Sequence, residues 1–393
     1  MSDLLIKKDT SIRDLELLLR SDDLGKQNLI LPNSLNEEAS LGVSLAFSQF
    51  LLTWARRCEV PVVKSFLNPG DEEKFTRFVQ RAYGFSAAYF AKRFLAHKSD
   101  EENLRMPLLL AAKPRFEAMY QGELTKTCRR LEVELIFVEN SEIEFHGALY
   151  SKAPTPAELA DREAHGRLIR SKRDLNRFLE RVFRQIGITD QLKMQLSRAD
   201  LPFGSLLTEA FKNTAEHGYL QANGRRLKKN MRCVRIARSQ TGREWLKNFT
   251  VASEKSDEAA TAYFEGLASS YGYHGHTNVR MLELSIFDSG SGFSSTMGNL
   301  RACEGLSDQA LVELCIKKHR SSKPQENAGI GIFRMLSAVD ALGGFIRIRT
   351  SSSEAFYAAT EGFSPEMHPS EFVHGGLAEV EGTLITVGIP TAF

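Results

Sequence analysis

Short apolar runs and one longer amphipathic stretch alternate near the start of the chain. Residues 28–32 (NLILP) and 60–67 (VPVVKSFL) are apolar runs with the length of buried strands. Between them, residues 38–57 repeat apolar side chains at helical spacing. Strand, helix and strand in this order predict one crossover unit.

The same kind of pattern continues toward residue 150. A helical stretch at residues 72–97 precedes apolar runs at 106–112 and 131–138, which predict two further strands. We therefore expect a smaller α/β domain over residues 1–150, and this domain resembles a STAS-type module.

A polar break with two prolines follows at residues 151–158 (SKAPTPAE) and predicts a linker. Helical sequence then runs over residues 157–183, so we expect a helical connector over 151–200. Its basic side chains form either a solvated face, which we favour, or a docking surface for an acidic partner. These side chains are Arg167, Arg170, Lys172, Arg173, Arg177, Arg181 and Arg184.

The stretch TEAFKNTAEHGY places three polar side chains at intervals of four residues. Apolar side chains at helical spacing over residues 203–217 predict a helix that packs by one face, and Glu209, Asn213 and His217 lie along the edge of that face. An amphipathic helix with ordinary polar flanks explains this stretch equally well. The stripe becomes a candidate site only in combination with the motifs that follow.

Two glycine motifs come later in the chain. Residues 282–293 (LELSIFDSGSGF) form an alternating strand that ends in Asp288, Gly290 and Gly292, where glycine allows a ligand to approach the backbone. Residues 327–336 (NAGIGIFRML) open a helix with Gly329 and Gly331, and free N–H groups at a helix start suit a phosphate. Each motif is weak alone, but their order behind the polar stripe is rare.

This ordered set resembles the GHKL superfamily of ATP-binding proteins over about residues 201–390. The superfamily includes gyrase-type topoisomerases, heat-shock chaperones, MutL, histidine kinases and anti-sigma serine kinases. The resemblance implies a Bergerat-type α/β sandwich, with a mixed sheet and helices on one face, over residues 201–393. It also implies that the protein binds ATP with Mg²⁺.

The resemblance also implies a role for each matching residue. Glu209 is the acidic residue that activates a nucleophile, and Asn213 holds Mg²⁺. Asp288 reads the adenine amino group, while the glycines shape the adenine pocket and end a mobile lid. The remaining positions that match or extend the pocket are Gly290, Gly292, Gly329, Gly331 and Thr383, the last from the Gly-Thr pair at 382–383 that usually completes the purine pocket.

The chemistry of these residue types agrees with the implied roles. Mg²⁺ keeps several waters and accepts few protein oxygens, so one Asn carbonyl beside a triphosphate is reasonable. A carboxylate one turn earlier, at Glu209, can polarise a water or a hydroxyl in line with the γ-phosphate. His217 touches either a phosphate or a structural hydrogen-bond partner.

The segment 294–328 between the glycine motifs has the length of a nucleotide lid. It contains IKKHRSSKP, in which Lys317 and Lys323 are candidate cations for the γ-phosphate. An exposed basic loop is the alternative.

The sequence departs from compact members of the superfamily in one place, and a basic stretch lies just before it. Residues 240–278 form an insertion, in which His274 and His276 lack a carboxylate or cysteine at ligand spacing, so a loop is favoured over a metal site. Residues 224–238 are strongly basic. Nucleic acid is a candidate partner there, but a solvated hairpin is favoured because no aromatic residues interleave to stack bases.

Composition narrows the class of protein but not its partner. The chain has 393 residues, 42% apolar residues and a net charge of +2, so it can bury the cores of two domains and carries no strong charge signal. Five scattered cysteines without CxxC spacing, and no apolar run of membrane-spanning length, predict a cytoplasmic protein without a membrane partner. These cysteines are Cys58, Cys128, Cys233, Cys303 and Cys315.

Several functions use such a pocket. The first is an ATPase whose lid closure switches conformation or contacts with a protein partner or in a homodimer. The second is a serine kinase of the anti-sigma type, whose motif the stretch TEAFKNTAEHGY resembles. The third is a histidine kinase, for which His165 is the nearby phosphoacceptor candidate. The fourth is a scaffold that binds nucleotide without turning it over.

Overall fold

The fold is described by a computed structural model. It covers residues 2–36, 41–97, 102–120, 128–129, 131–140, 172–188, 202–221, 223, 225, 227–242, 253–273, 278–292, 303–317, 331–359 and 368–391. The protein is of the mixed α/β class, with one parallel sheet and one antiparallel sheet. Within the described ranges, no helix is both long and apolar enough to cross a membrane.

The parallel sheet contains four strands in the spatial order β1-β2-β3-β4. Each strand pairs in parallel with its neighbour, so each connection is a crossover. The strands are β1 (Ser2–Leu5), β2 (Gln27–Leu31), β3 (Val62–Ser65) and β4 (Arg93–Ala96). The helices of this part are α1 (Ile12–Leu19), α2 (Val43–Arg57), α3 (Glu72–Val79), α4 (Ala82–Phe90) and α5 (Arg105–Tyr120).

The crossover unit predicted from the first apolar runs is confirmed as β2, α2 and β3. Helix α2 is buried on all sides from Val43 to Trp54, which is typical of a helix between two layers. It contacts α1 and α4 of the parallel part and strands of the antiparallel sheet. Helix α2 therefore joins the two parts of the molecule.

The strand predicted at residues 106–112 is wrong, because this run lies in helix α5. Leu108, Leu109, Ala112 and Phe116 are buried at helical spacing. The run has no β-branched residue, and leucine, methionine and alanine are strong helix formers. The helical stretch predicted over residues 72–97 is correct for α3 and α4 but ends too late, since β4 begins at Arg93.

The antiparallel sheet has eight strands in the spatial order β11-β10-β9-β12-β8-β7-β6-β5. The strand predicted at residues 131–138 is present as β6, but β6 pairs with β7 of the second half of the chain. The boundary predicted at residue 150 therefore does not separate the two sheets. The strands are β5 (Cys128–Arg129), β6 (Glu132–Asn140), β7 (Lys229–Gly242), β8 (Asn278–Asp288), β9 (Phe345–Ser351), β10 (Ser353–Ala358), β11 (Val373–His374) and β12 (Val380–Pro390).

After residue 171, the described residues contain five more α-helices. Helix α8 lies inside the predicted insertion at 240–278, and its Ala260 and Phe264 pack with Met281, Phe345 and Phe356, so the insertion contributes to the core. The part of the predicted connector helix before residue 172 lies outside the described residues. The helices are α6 (Lys172–Gln185), α7 (Pro202–His217), α8 (Glu254–Tyr273), α9 (Asp308–Ile316) and α10 (Gly331–Ala341).

The antiparallel sheet is covered on both faces. Ser44 of α2 donates a hydrogen bond to Glu134 of β6 at 3.2 Å, which marks one face. Gly218, directly after α7, lies against Asp288 of β8, and this contact marks the other face. Successive side chains of a strand point to opposite sides, so the same sheet packs against both layers. Helix α7 packs along α10, and these helices contact β8 and β9 respectively. The candidate site lies on this second face.

Candidate functional site

Helix α7 presents the first two predicted site residues. Phe203, Leu206 and Ala210 are buried on its inner side, as the apolar spacing predicts. Glu209 and Asn213 lie one turn apart and are half-buried. The amphipathic pattern therefore places both polar side chains at the edge of the core, where each keeps some exposure to solvent.

The start of helix α10 lies directly against these two side chains. A methyl group added to Gly331 would be 3.3 Å from Oε2 of Glu209 and 3.5 Å from Nδ2 of Asn213. Because Gly331 has no side chain, the backbone of the first turn of α10 directly faces the side chains of Glu209 and Asn213. The first N–H groups of a helix have no partner within the helix. The second glycine motif and the polar stripe thus form one cluster.

Asp288 forms the second cluster, at the end of β8. A methyl group on Gly218 would be 2.6 Å from Cβ of Asp288, so α7 contacts both clusters. Oδ1 of Asp288 accepts a hydrogen bond from the backbone N–H of Gly290 at 2.9 Å. Burial raises the pKa of Asp288 to about 7, against the lowering effects of the Gly290 and Thr383 backbone and of the positive charges of Arg232 and Arg56.

The Gly-Thr pair before the last strand completes the surroundings of Asp288. Thr383 of β12 is paired with Asp288 of β8 in the sheet register. Gly382 has a φ of +74°, and a methyl group there would be 2.0 Å from the carbonyl oxygen of Asp288. Only glycine fits this conformation and this close contact without strain.

The glycine motif after Asp288 approaches the same strands. A methyl group on Gly292, which has a φ of +80°, would be 2.6 Å from Oγ1 of Thr350 and 3.0 Å from Oγ of Ser351. The hydroxyl groups of Thr350 and Thr383 are 3.4 Å apart. Thr350 belongs to this site, and sequence reasoning missed it because no motif marks its position in β9.

Some predicted residues cannot be compared with the structure. Gly329 and Lys323 lie outside the described residues, and so does the side chain of His217, whose backbone ends α7. Lys317 is exposed and follows helix α9, at the end of the described part of the predicted lid. The candidate site therefore consists of Glu209, Asn213, Asp288, Gly290, Gly292, Gly331 and Thr383, with Thr350 added by the structure.

Part of the predicted lid is a helix docked on the antiparallel sheet. Nε2 of Gln309 in α9 donates a hydrogen bond to the carbonyl oxygen of Val373 at 3.1 Å. Asp308 accepts hydrogen bonds from the backbone N–H and the hydroxyl of Ser352 at 3.1 and 2.7 Å. Any closing movement of this segment must either break these bonds or take place outside residues 308–316.

Arg334 of α10 forms an ion pair with Glu209. Its Nη1 lies 2.6 Å from Oε1 of Glu209, and 53% of the arginine side chain is exposed against 13% of the glutamate. Sequence reasoning missed this contact as well. The signal was present, since Arg334 follows Gly331 by three residues and residues three apart lie on one side of a helix.

Helix α2 of the parallel part supports the loops around Asp288 from the opposite face of the sheet. Nη2 of Arg56 donates a hydrogen bond to the carbonyl oxygen of Ser289 at 2.8 Å, and Nη1 forms an ion pair with Glu381. The hydroxyl of Thr53 accepts a hydrogen bond from the N–H of Glu381 at 3.0 Å. The two parts of the molecule are therefore in direct contact behind the site.

The donor groups fit some metal ions and not others. The described ranges contain no group of three or more His, Cys, Asp or Glu side chains that could hold a metal ion. The amide oxygen of Asn213 is a hard, neutral ligand beside the first turn of α10, which suits Mg²⁺ shared with phosphate oxygens and water.

No family model, curated protein or solved structure matches this chain.

Proposed function

We propose that the second half of the chain is a GHKL-type ATP-binding domain with a Bergerat-type sandwich, and that the protein is an ATPase. The strongest support is the contact between Gly331 and the side chains of Glu209 and Asn213, two motifs more than 110 residues apart in sequence. Helices α7 and α10 on one face of the sheet, with β8 and β12 adjacent, agree with this class. Two features differ from the expected mixed sheet with helices on one face: the described strands of this sheet pair only antiparallel, and helix α2 covers its other face.

In this proposal the nucleotide lies along α7. The nine residues from Glu209 to His217 extend for about 12 Å of helix. Asp288 and Thr383 bind the purine at one end, and the N–H groups at the start of α10 bind phosphate at the other end. Asn213 would hold Mg²⁺ through its amide oxygen, and a bound ion would neutralise negative charge on the phosphate groups.

Glu209 is the general base in this mechanism. It takes a proton from a water molecule while the water oxygen bonds to the γ-phosphorus. The bond between that phosphorus and the β–γ bridging oxygen breaks, and the products are ADP and phosphate. If a protein serine replaces the water, the same carboxylate takes the proton of the serine hydroxyl, and the protein is a kinase of the anti-sigma type.

The partner and the phosphate acceptor distinguish the remaining candidates. A switch ATPase releases phosphate to water and changes its contacts with a protein partner or a second copy. A scaffold binds nucleotide without turnover. Phosphate release, measured with Mg-ATP alone and with candidate partner proteins, separates an ATPase from a kinase and from a scaffold.

Calorimetry with Mg-ATP on the full chain tests the pocket itself. We expect the parent chain to bind, and Asp288→Asn to lose about 1–3 kcal/mol of affinity because the acceptor for the adenine amino group is changed. Asp23→Asn, at an exposed carboxylate of the parallel part, is the control and should bind as the parent does. Equal binding by the parent and Asp288→Asn would show that the pocket is assigned to the wrong residues.

A further inference from the structure

The Glu209–Arg334 ion pair occupies the carboxylate that the proposed mechanism needs. Oε1 of Glu209 accepts a hydrogen bond from Nη1 of Arg334, and Oε2 faces the backbone at Gly331. A general base must accept a hydrogen bond from the water that it activates. In this conformation, one of the two oxygens that could receive that proton is held by a guanidinium group.

From its position on α10, the guanidinium of Arg334 could also bind a second partner, a γ-phosphate at the start of the helix. Arg334 lies one turn after Gly331, on the side of α10 whose first residues face Glu209 and Asn213. With 53% of its side chain exposed, it is free to change rotamer. A γ-phosphate at the start of α10 would be within reach of a side chain one turn away, and arginine binds phosphate oxygens in a bidentate fashion.

We propose that Arg334 is a γ-phosphate sensor that exchanges partners. Without a nucleoside triphosphate it pairs with Glu209 and keeps the base occupied. When a triphosphate binds, Arg334 leaves Glu209 for the γ-phosphate, so that one movement frees the base and places a positive charge on the phosphoryl group to be transferred. This inference rests on the proposed nucleotide site.

The exchange is energetically reasonable because the ion pair is partly exposed. Water screens the guanidinium, since 53% of the arginine side chain is exposed, so this pair is weaker than a fully buried one even though Glu209 is only 13% exposed. A γ-phosphate carries more negative charge than one carboxylate and forms stronger charge-assisted hydrogen bonds. The triphosphate therefore competes successfully for the guanidinium, whereas a diphosphate offers no γ-phosphate to compete.

The test compares the affinities of AMP-PNP and ADP, each with Mg²⁺, by calorimetry on the full chain. Arg334→Ala should lower the affinity for AMP-PNP by about 10- to 100-fold, the range expected for a charge-assisted contact, and change the affinity for ADP by less than about threefold. Arg334→Lys should recover part of the loss, because it keeps the charge but not the fork geometry. A purely structural role would change both affinities together.

Arg13→Ala is the matched control. Arg13 forms an ion pair with Asp257 at 2.5 Å and is 46% exposed, which is close to the geometry and exposure of the Glu209–Arg334 pair. This control should leave both affinities at the parent values. It shows whether loss of an exposed arginine ion pair by itself changes nucleotide binding.

A double-mutant cycle tests whether Glu209 and Arg334 compete as proposed. Glu209→Gln should raise the affinity for AMP-PNP by about two- to fivefold in the parent, because the guanidinium no longer has to leave a carboxylate. In the Arg334→Ala background, the same change should have no effect. Coupling of this sign would not arise from independent local damage.

The outcomes separate this inference from the proposed function. If the parent binds AMP-PNP and ADP but Arg334→Ala keeps their affinity ratio, the sensor is overturned and the nucleotide site stands. If the parent binds neither nucleotide, the proposed site fails and the sensor fails with it. A changed ratio with a null double-mutant cycle overturns the exchange of partners, since Arg334 would then contact phosphate without releasing Glu209.

Discussion

The two faces of the antiparallel sheet hold buried charge in different ways. On the face toward α2, Arg235 pairs with Glu283 at 2.5 Å and with Glu132 at 3.0 Å, and Arg347 pairs with Glu354 at 2.5 Å. All five side chains are buried. Opposite charges on neighbouring strands meet each other across the sheet, which offsets the cost of removing them from water.

On the face toward α7 and α10, the acidic groups of the candidate site have weaker partners. Backbone N–H groups hold Asp288, and its pKa is raised to about 7 by burial. Glu209 pairs with Arg334, but 53% of that arginine side chain is exposed. The buried charges on the first face are matched with opposite charges, whereas a carboxyl group with a raised pKa and an incomplete partner, as on the second face, is typical of a candidate binding site.

Of the changes that test this difference between the two faces, substitution of Glu209 should have the largest effect, on the rate of phosphate release. Glu209→Gln should lower the rate of phosphate release by about 10²- to 10⁴-fold, the usual contribution of a general base, without loss of nucleotide affinity. Asn213→Ala should instead weaken Mg-ATP binding. Steady-state phosphate release and calorimetry measure the two effects. Hydrolysis by Glu209→Gln at the parent rate would mean that the polar stripe has a structural role.

On the face toward α2, substitution of a buried charged residue should lower the free energy of unfolding. Arg235→Ala leaves Glu132 and Glu283 buried without their shared cation, so the free energy of unfolding should fall by about 3–5 kcal/mol. Urea unfolding followed by circular dichroism measures this change. Arg13→Ala, at an exposed ion pair, should lose less than about 1 kcal/mol. Equal losses for the two variants would remove the distinction between the faces.

The free energy of unfolding of the parent should depend on pH differently from that of Asp288→Asn, because burial perturbs the carboxyl group of Asp288. Its pKa is raised from an ordinary 3.8 to about 7, so the stability that it contributes is complete below the unfolded pKa and is lost as pH rises through the folded pKa. From pH 5 to pH 8 the parent should therefore lose about 3 kcal/mol relative to Asp288→Asn.

Unfolding curves of the parent and Asp288→Asn at both pH values measure this difference. Other ionisable groups are common to the two chains, so their contributions cancel in the comparison. A difference between the chains that is constant with pH would mean that Asp288 ionises normally in the folded protein.

The smallest effects should come from replacing either of two glycines by alanine, one in a crowded position and one in an open position. Gly218→Ala places a methyl group 2.5 Å from the backbone oxygen of Thr214 and 2.6 Å from Cβ of Asp288. The end of α7 and the Asp288 side chain must both move, so ATP binding should weaken by about tenfold. Gly266→Ala, in the middle of α8 with open space around it, should stabilise the helix by up to about 1 kcal/mol and leave binding unchanged. Calorimetry and thermal unfolding distinguish the two outcomes, and equal ATP affinities would separate Gly218 from the site.

The local elements of the site could be predicted because their signals are local. The helical spacing of Phe203, Leu206 and Ala210 predicted α7, and the alternation before Asp288 predicted β8. The run at residues 106–112 was assigned wrongly, since short apolar runs have no reliable period and only helix propensity separated the alternatives. The parallel strand–helix–strand unit was correct because its periodicities change clearly from one element to the next.

The sequence by itself determined which residues are candidates for chemistry: the stripe on α7, the carboxyl group of Asp288 and the glycines where the backbone must approach closely. Only the tertiary structure decided that β6 joins the second sheet, that α2 supports the loops around Asp288, and that Arg334 holds Glu209. These contacts join segments that are far apart in the chain. Periodicity and propensity act within a few residues, whereas such pairings depend on the packing of the whole molecule.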